Sequence, residues 1–219
     1  MARSVKGPRR TYRSRVRTEQ MQNTRRQAID AARRLFLERG YAGTTIAAVA
    51  EQAEISPETI YTSLKGKSGL LEGVIDAAIM GPEGAVIEQQ QWLESVGCLP
   101  TPRERLRGWV EASCRTLART SPIHAVIRAA ADREDFAVVL RERLLQRRLA
   151  QVTALAADYL YGALPPGVTV EDAGHRYAAL LSPEMYHLCT VELAWTPQRF
   201  QTWVTQLLES DLLDDDREH

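Results

Sequence analysis

Apolar residues recur at three- and four-residue intervals along most of the chain and nowhere alternate with polar ones over strand-length runs, so the pattern predicts an all-α protein. The first stripe is Ala28, Ile29, Ala32, Leu35 and Phe36. Thr24 and Gln27 stand before it at capping-box spacing, and Gly40 ends it. Thr45 then caps a helix whose inward face is Ile46, Val49, Ala50 and Ala53, with a turn at Glu54-Ile55. Ser56 caps a second, very short helix with Pro57 at its first position and Ile60 and Leu64 inside. A further start near Gly66 to Ser68 precedes Leu70, Leu71, Val74, Ile75, Ala78 and Ile79.

Two short helices joined by a tight turn read a duplex when the second lies in the major groove with its N-terminal residues at the base edges. A helix as short as the one from Ser56 is marginal alone, because isolated helices below ~12–15 residues do not persist in water. The helices before and after the pair must clamp it.

Beyond residue 80, Gly81-Pro82 breaks or kinks the chain before a helix through Trp92. The cap-then-proline device recurs at Thr101-Pro102, Ser121-Pro122 and Thr196-Pro197. It predicts a helix from Thr101 that buries Leu106, Trp109, Val110 and Leu117, with Glu104 completing a capping box. A separate short helix follows from Ser121, and a long one runs from about Glu134 to Tyr161, ended by Gly162 and Pro165-Pro166-Gly167. From Glu171 to Leu208 lies a helix pair. Tyr177, Leu180, Leu181, Leu188 and Val191 line the first member, and Phe200, Trp203, Val204, Leu207 and Leu208 the second. Ser182-Pro183 is read as a kink in a continuous helix. Periodicity leaves two uses open for these stripes: burial inside one subunit, or a contact between two.

Composition narrows the class. The chain has 219 residues, 44% of them hydrophobic, enough for one or two domains with a substantial core. Charge interrupts every apolar run well short of the ~18 residues of a membrane span, so neither a span nor a signal peptide is expected. Cys98, Cys114 and Cys189 are odd in number and lack C-x-x-C spacing, which points to a reducing compartment and a cytoplasmic location. Net charge is zero, yet residues 1–40 hold twelve Lys and Arg against three acidic residues. A basic end on an otherwise acidic body concentrates attraction for phosphate beside the helix-turn-helix.

The run A-x-x-L-F-x-x-x-G-Y-x-x-T-T-I-x-x-V-A from Ala32, followed by S-x-x-T-I-Y from Ser56 and K-x-x-L-L from Lys67, resembles the DNA-binding domain of the TetR family of bacterial repressors. Three positions depart from that pattern. Glu54 replaces the usual turn glycine, Ser63-Leu64 a frequent His-Phe pair, and Ser68 a frequent Glu. If position 54 is left-handed, the strain is about 1–2 kcal/mol.

The resemblance implies an N-terminal three-helix head and a C-terminal helical domain for ligand binding and dimerisation. The expected layout is a basic disordered arm (1–23), the DNA-binding domain (24–80), an effector-binding and dimerisation domain (81–213) and an acidic tail (214–219). Pro57, Glu58, Thr59 and Thr62 are expected at bases, and Thr45, Tyr61, Lys65 and Lys67 at phosphates. The last helices would form a homodimer through Tyr177, Leu181, Leu188, Phe200, Trp203 and Leu207, which sets two reading helices one DNA turn, ~34–36 Å, apart. The implied partners are double-stranded operator DNA, a second copy and a small-molecule effector.

No cofactor or metal motif and no nucleophile–base–orienter set is evident, so an enzyme is not expected. His175 and His187 stand about 18 Å apart along a straight helix and cannot share a metal. Trp109, His124, Tyr159 and Tyr177 are candidates to line an effector cavity, and their mixture suits an apolar or aromatic molecule of limited polarity. Each also fits ordinary core packing. A redox-responsive regulator acting through the cysteines is the main alternative. A non-specific helical DNA-packaging protein is disfavoured because the body is acidic.

Overall fold

The computed structural model describes residues 9–81 and 95–214, with the side chains of 9–17, Tyr159 and Tyr161 left aside. The expected helix through Trp92, the first eight residues of the arm and the last five of the tail lie outside them. Two compact units appear, Met1–Val74 and Ile75–His219, and the division falls within α4. Every regular element among the described residues is helical, and no helix there is long and apolar enough to cross a membrane.

In the first unit α1 spans Arg9–Gly43, α2 Ile46–Gln52 and α3 Pro57–Leu64, and α4, Lys67–Met80, begins there. The early start of α1 corrects two expectations. Residues 9–23 are helical rather than unstructured, and Thr24 does not cap but donates its hydroxyl to the Gln20 carbonyl at 2.9 Å from within the helix. Between Pro8 and Gly40 the chain has neither Gly nor Pro and is rich in Arg, with several Gln and Ala, so nothing local stops the helix from extending backwards. Gly40 does interrupt it, at φ 68° and ψ 176°, a conformation essentially confined to glycine. Ala28, Ala32, Phe36, Val49, Ile60, Leu70 and Leu71 form the core of this unit.

In the second unit α5 spans Pro102–Ala131, α6 Asp135–Tyr159, α7 Val170–Leu180, α8 Pro183–His187 and α9 Pro197–Leu212. The capping box of α5 forms as expected, with the Glu104 N–H donating to Thr101 Oγ1 and the Thr101 N–H to Glu104 Oε2, both at 3.2 Å. No new helix starts at Ser121. α5 runs straight through Pro122, because Ile123, Ile127 and Ala130 continue its buried face and Ser121 is itself buried, its hydroxyl donating to the Pro183 carbonyl at 3.1 Å. Burial overrides the local start signal.

The opposite correction applies at Ser182-Pro183. α7 ends at Leu180, and Ser182 caps a new helix by accepting from the Met185 N–H at 3.0 Å. Pro183 has no N–H to continue the ladder, and the Arg148 guanidinium takes the freed carbonyls of Ala178 and Leu181. A π-helical turn, Leu188–Glu192, and left-handed Ala194 (φ 52°) then lead to α9. Leu106, Leu160, Leu181 and Phe200 lie at the centre of the core, and Tyr186 meets Phe200 edge-on at 5.1 Å. α6 and α7 approach closely at Gly174, where a Cβ would lie 2.5 Å from Thr153 Oγ1 and 3.1 Å from its Cα.

Candidate nucleic-acid interface and ligand cavity

The turn of the helix-turn-helix is a Schellman motif. The Glu54 N–H donates to the Glu51 carbonyl at 3.2 Å and the Ile55 N–H to the Ala50 carbonyl at 3.0 Å, which places Glu54 at φ 55° where glycine is favoured. Ser56 accepts from the Thr59 N–H at 3.3 Å and starts α3, while Thr45 caps α2 by accepting from the Ala48 N–H at 3.1 Å. Lys65, also left-handed (φ 57°), closes α3. Ile60 and Leu64 are buried and hold the inner face of α3; Pro57, Glu58, Tyr61, Thr62 and Lys65 are exposed on its outer one.

The expected DNA-contacting residues therefore separate into two groups. Tyr61 is 59% exposed, which excludes its alternative use as a core residue. Thr45 and Lys65 are exposed as well. Thr62 donates its hydroxyl back to the Glu58 carbonyl at 2.9 Å, and Thr59 Oγ1 lies 3.1 Å from Ser56 Oγ, so both side chains are pre-positioned by their own helix. Its own backbone N–H, and after it the Ser56 hydroxyl, hold the fully exposed Glu58 carboxyl below its usual range. The Lys67 ammonium sits 4.3 Å over the Tyr41 ring and 3.5 Å from the Ala42 carbonyl, which gives it a packing role within the head.

In the second unit, α5, α6 and α7 with Ser182 and Glu184 enclose an open cavity of about 1340 Å³. Trp109 and His124 line it. Burial lowers the His124 imidazole pKa to about 4; Glu184 opposes this, and Arg148, Arg128 and Arg141 reinforce it. Tyr177 does not line that cavity. Its hydroxyl is 2.9 Å from Ser113 Oγ, burial pushes its phenol pKa upward, and it borders a separate void of about 10 Å³, too small for an effector. The Tyr159 side chain lies outside the described residues.

The six expected dimer residues also divide. Tyr177, Leu181 and Phe200 are buried in the subunit's own core, so they cannot form a contact surface. Leu188 is 40% exposed, Leu207 37%, and Trp203 packs partly buried against Trp195 at 5.5 Å. Val191, at 62%, joins the exposed set.

Sequence reasoning missed two arginines. Arg25, counted only as a basic residue, donates to the Ser63 carbonyl at 2.9 Å, and Arg148, one of several in a charged run, is mostly buried beside the cavity. Neither has a local signal. The redox alternative is not favoured: Cys114 and Cys189 are buried, and burial with Glu111 pushes the Cys114 thiol up to about 12, far from a reactive thiolate.

The sequence model of the family described as "Bacterial regulatory proteins, tetR family" matches residues 28–74. The "Uncharacterized HTH-type transcriptional regulator YvkB" of Bacillus subtilis is 34% identical over 32% of this chain and 37% of its own length, so the alignment spans about a third of that relative. The "Probable HTH-type transcriptional regulator ArpR" of Pseudomonas putida is 29% identical over 71% of this chain and 75% of its own. Among solved structures, NalD, the secondary repressor of the MexAB-OprM multidrug efflux pump in Pseudomonas aeruginosa, has the same fold. Its TM-score is 0.66 at 18% identity, covering 89% of this chain and 99% of NalD. With α2, the Schellman turn and α3 inside the matched segment, the N-terminal unit carries the DNA-binding domain described by the family of bacterial regulatory proteins named for tetR.

Proposed function

We propose that this protein is a cytoplasmic homodimeric repressor that leaves its operator when a small molecule enters the cavity of its second unit. One observation carries the DNA-reading half of this reading. α3 is anchored by Ile60 and Leu64 and turns Pro57, Glu58, Tyr61 and Thr62 outward, which is the face a recognition helix offers to a major groove. Leu188, Val191 and Leu207 supply an exposed apolar surface for a second copy. In the proposed switch, apo dimers place both reading helices in successive grooves and ligand-bound dimers respace them. Shifting that population from 1:99 to 99:1 requires a preference of about 5.5 kcal/mol for one state.

The test is selection of bound sequences from a random double-stranded library, then titration against salt. The expected product is a two-fold-symmetric site. Tyr61→Phe should bind every sequence about fivefold more weakly, the loss of one hydrogen bond, without altering the selected site. Thr59→Val should alter the site itself. Failure to enrich any symmetric sequence would remove the reading.

A further inference from the structure

The floor of the cavity carries a charge that the protein leaves incompletely satisfied. Among the described residues both hydrogen bonds of the Arg148 guanidinium leave from one nitrogen: Nη2 donates to the Ala178 carbonyl at 3.0 Å and to that of Leu181. Nε and Nη1 make no hydrogen bond among the described residues, although a guanidinium has five N–H donors in a planar fork. No carboxylate there lies within ion-pairing distance of it. Tyr177 and Glu184 act on it only through their electrostatic field, and Glu184 is already 3.9 Å from Arg128. His124, beside Arg148, adds a neutral imidazole.

The other charges of the lining are spent or solvated. Arg147 pairs with Asp76 at 3.5 Å, while Asp132, Arg141, Glu142 and Asp158 are exposed at the rim, where water screens them. Between rim and floor the wall is apolar. Leu145, Leu149, Val152 and Leu155 follow one face of α6 over about 15 Å, opposite Trp109.

Resting on the effector-cavity reading above, we propose that the effector is an anionic amphiphile, a monocarboxylate with a hydrocarbon body, whose carboxylate is held by Arg148 beside His124. The fork of Arg148 matches a carboxylate in a way that no neutral acceptor equals, and the partly desolvated setting strengthens the pairing. An ammonium in the same place meets like charge. The hydrocarbon body lies along the α6 stripe and covers Trp109.

The experiment compares three probes of one chain length: decanoate, decan-1-ol and decylammonium. Each is titrated into the full-length protein, with tryptophan fluorescence, a Trp109→Phe control and release of the selected operator as readouts. Decanoate should bind about tenfold or more tightly than decanol, and decylammonium weakest. In Arg148→Gln the decanoate preference over decanol should collapse to about one. Since that change also removes bonds to the end of α7, Arg148→Lys serves as the folded control and should retain the order of the probes. Decanol or decylammonium binding as tightly as decanoate overturns the carboxylate assignment and leaves the cavity reading standing. Silence from all three probes overturns both.

Discussion

The Arg25 guanidinium donates to the Ser63 carbonyl at 2.9 Å and so ties α1 to the last turn of α3. That carbonyl is among those a helix leaves without an internal partner, and a cation there also complements the helix dipole. Arg25 thus sets the attitude of α3 instead of serving as a free basic charge. Arg25→Met should destabilise the head by about 1–2 kcal/mol and weaken operator binding at every sequence. Thermal unfolding separates this from a pure phosphate contact, which would change the salt slope and leave Tm alone.

Glu54 occupies a left-handed position that glycine adopts without strain. Replacing it by Gly relieves about 1–2 kcal/mol, offset in part by the greater freedom of glycine in the unfolded chain. The expected outcome is a gain of about 0.5–1 kcal/mol in denaturant unfolding with operator preference unchanged. A loss of stability would show that the Glu54 side chain contributes a contact that outweighs the strain.

Phe200 and Leu207 share one helical stripe but do different work. Phe200 is fully buried, and Phe200→Ala should cost about 3–5 kcal/mol of folding stability. Val191 and Leu207 are exposed, so Val191→Lys with Leu207→Lys should leave the fold intact. If they form the interface, sedimentation should show monomers that bind half-sites without cooperativity. A stable dimer in the double variant would move the interface elsewhere.

His124 makes stability depend on pH. Burial lowers its folded pKa to about 4 from 6.5, so between these values the unfolded chain binds more protons. Stability from this site is therefore complete above pH 6.5 and is lost as pH falls towards 4. The upper bound is about 3 kcal/mol. His124→Gln should flatten that part of the stability–pH curve in urea titrations between pH 4 and 7. An unchanged curve would mean the imidazole is more hydrated than its position implies.

The helix-turn-helix was legible in the sequence because its signals are local. Thr45 and Ser56 cap the helices they precede and Gly40 breaks α1, each through bonds or dihedrals confined to a few residues, and the helical period alone puts Ile60 and Leu64 on one face. The all-α class followed from periodicity in the same way. Identical local signals elsewhere had different outcomes. Ser56-Pro57 starts a helix while Ser121-Pro122 lies inside one, because Ser121 meets the Pro183 carbonyl sixty-two positions away and the apolar face continues past it. Which half of the α9 stripe is core and which is surface, why Tyr177 turns from the large cavity towards Ser113, and how Arg148 reaches the end of α7 were likewise decided by the tertiary structure. A cap or a period specifies the direction of the chain over one or two turns. Burial and the convergence of distant side chains depend on how whole helices pack, and that is a property of contacts that a single element does not contain.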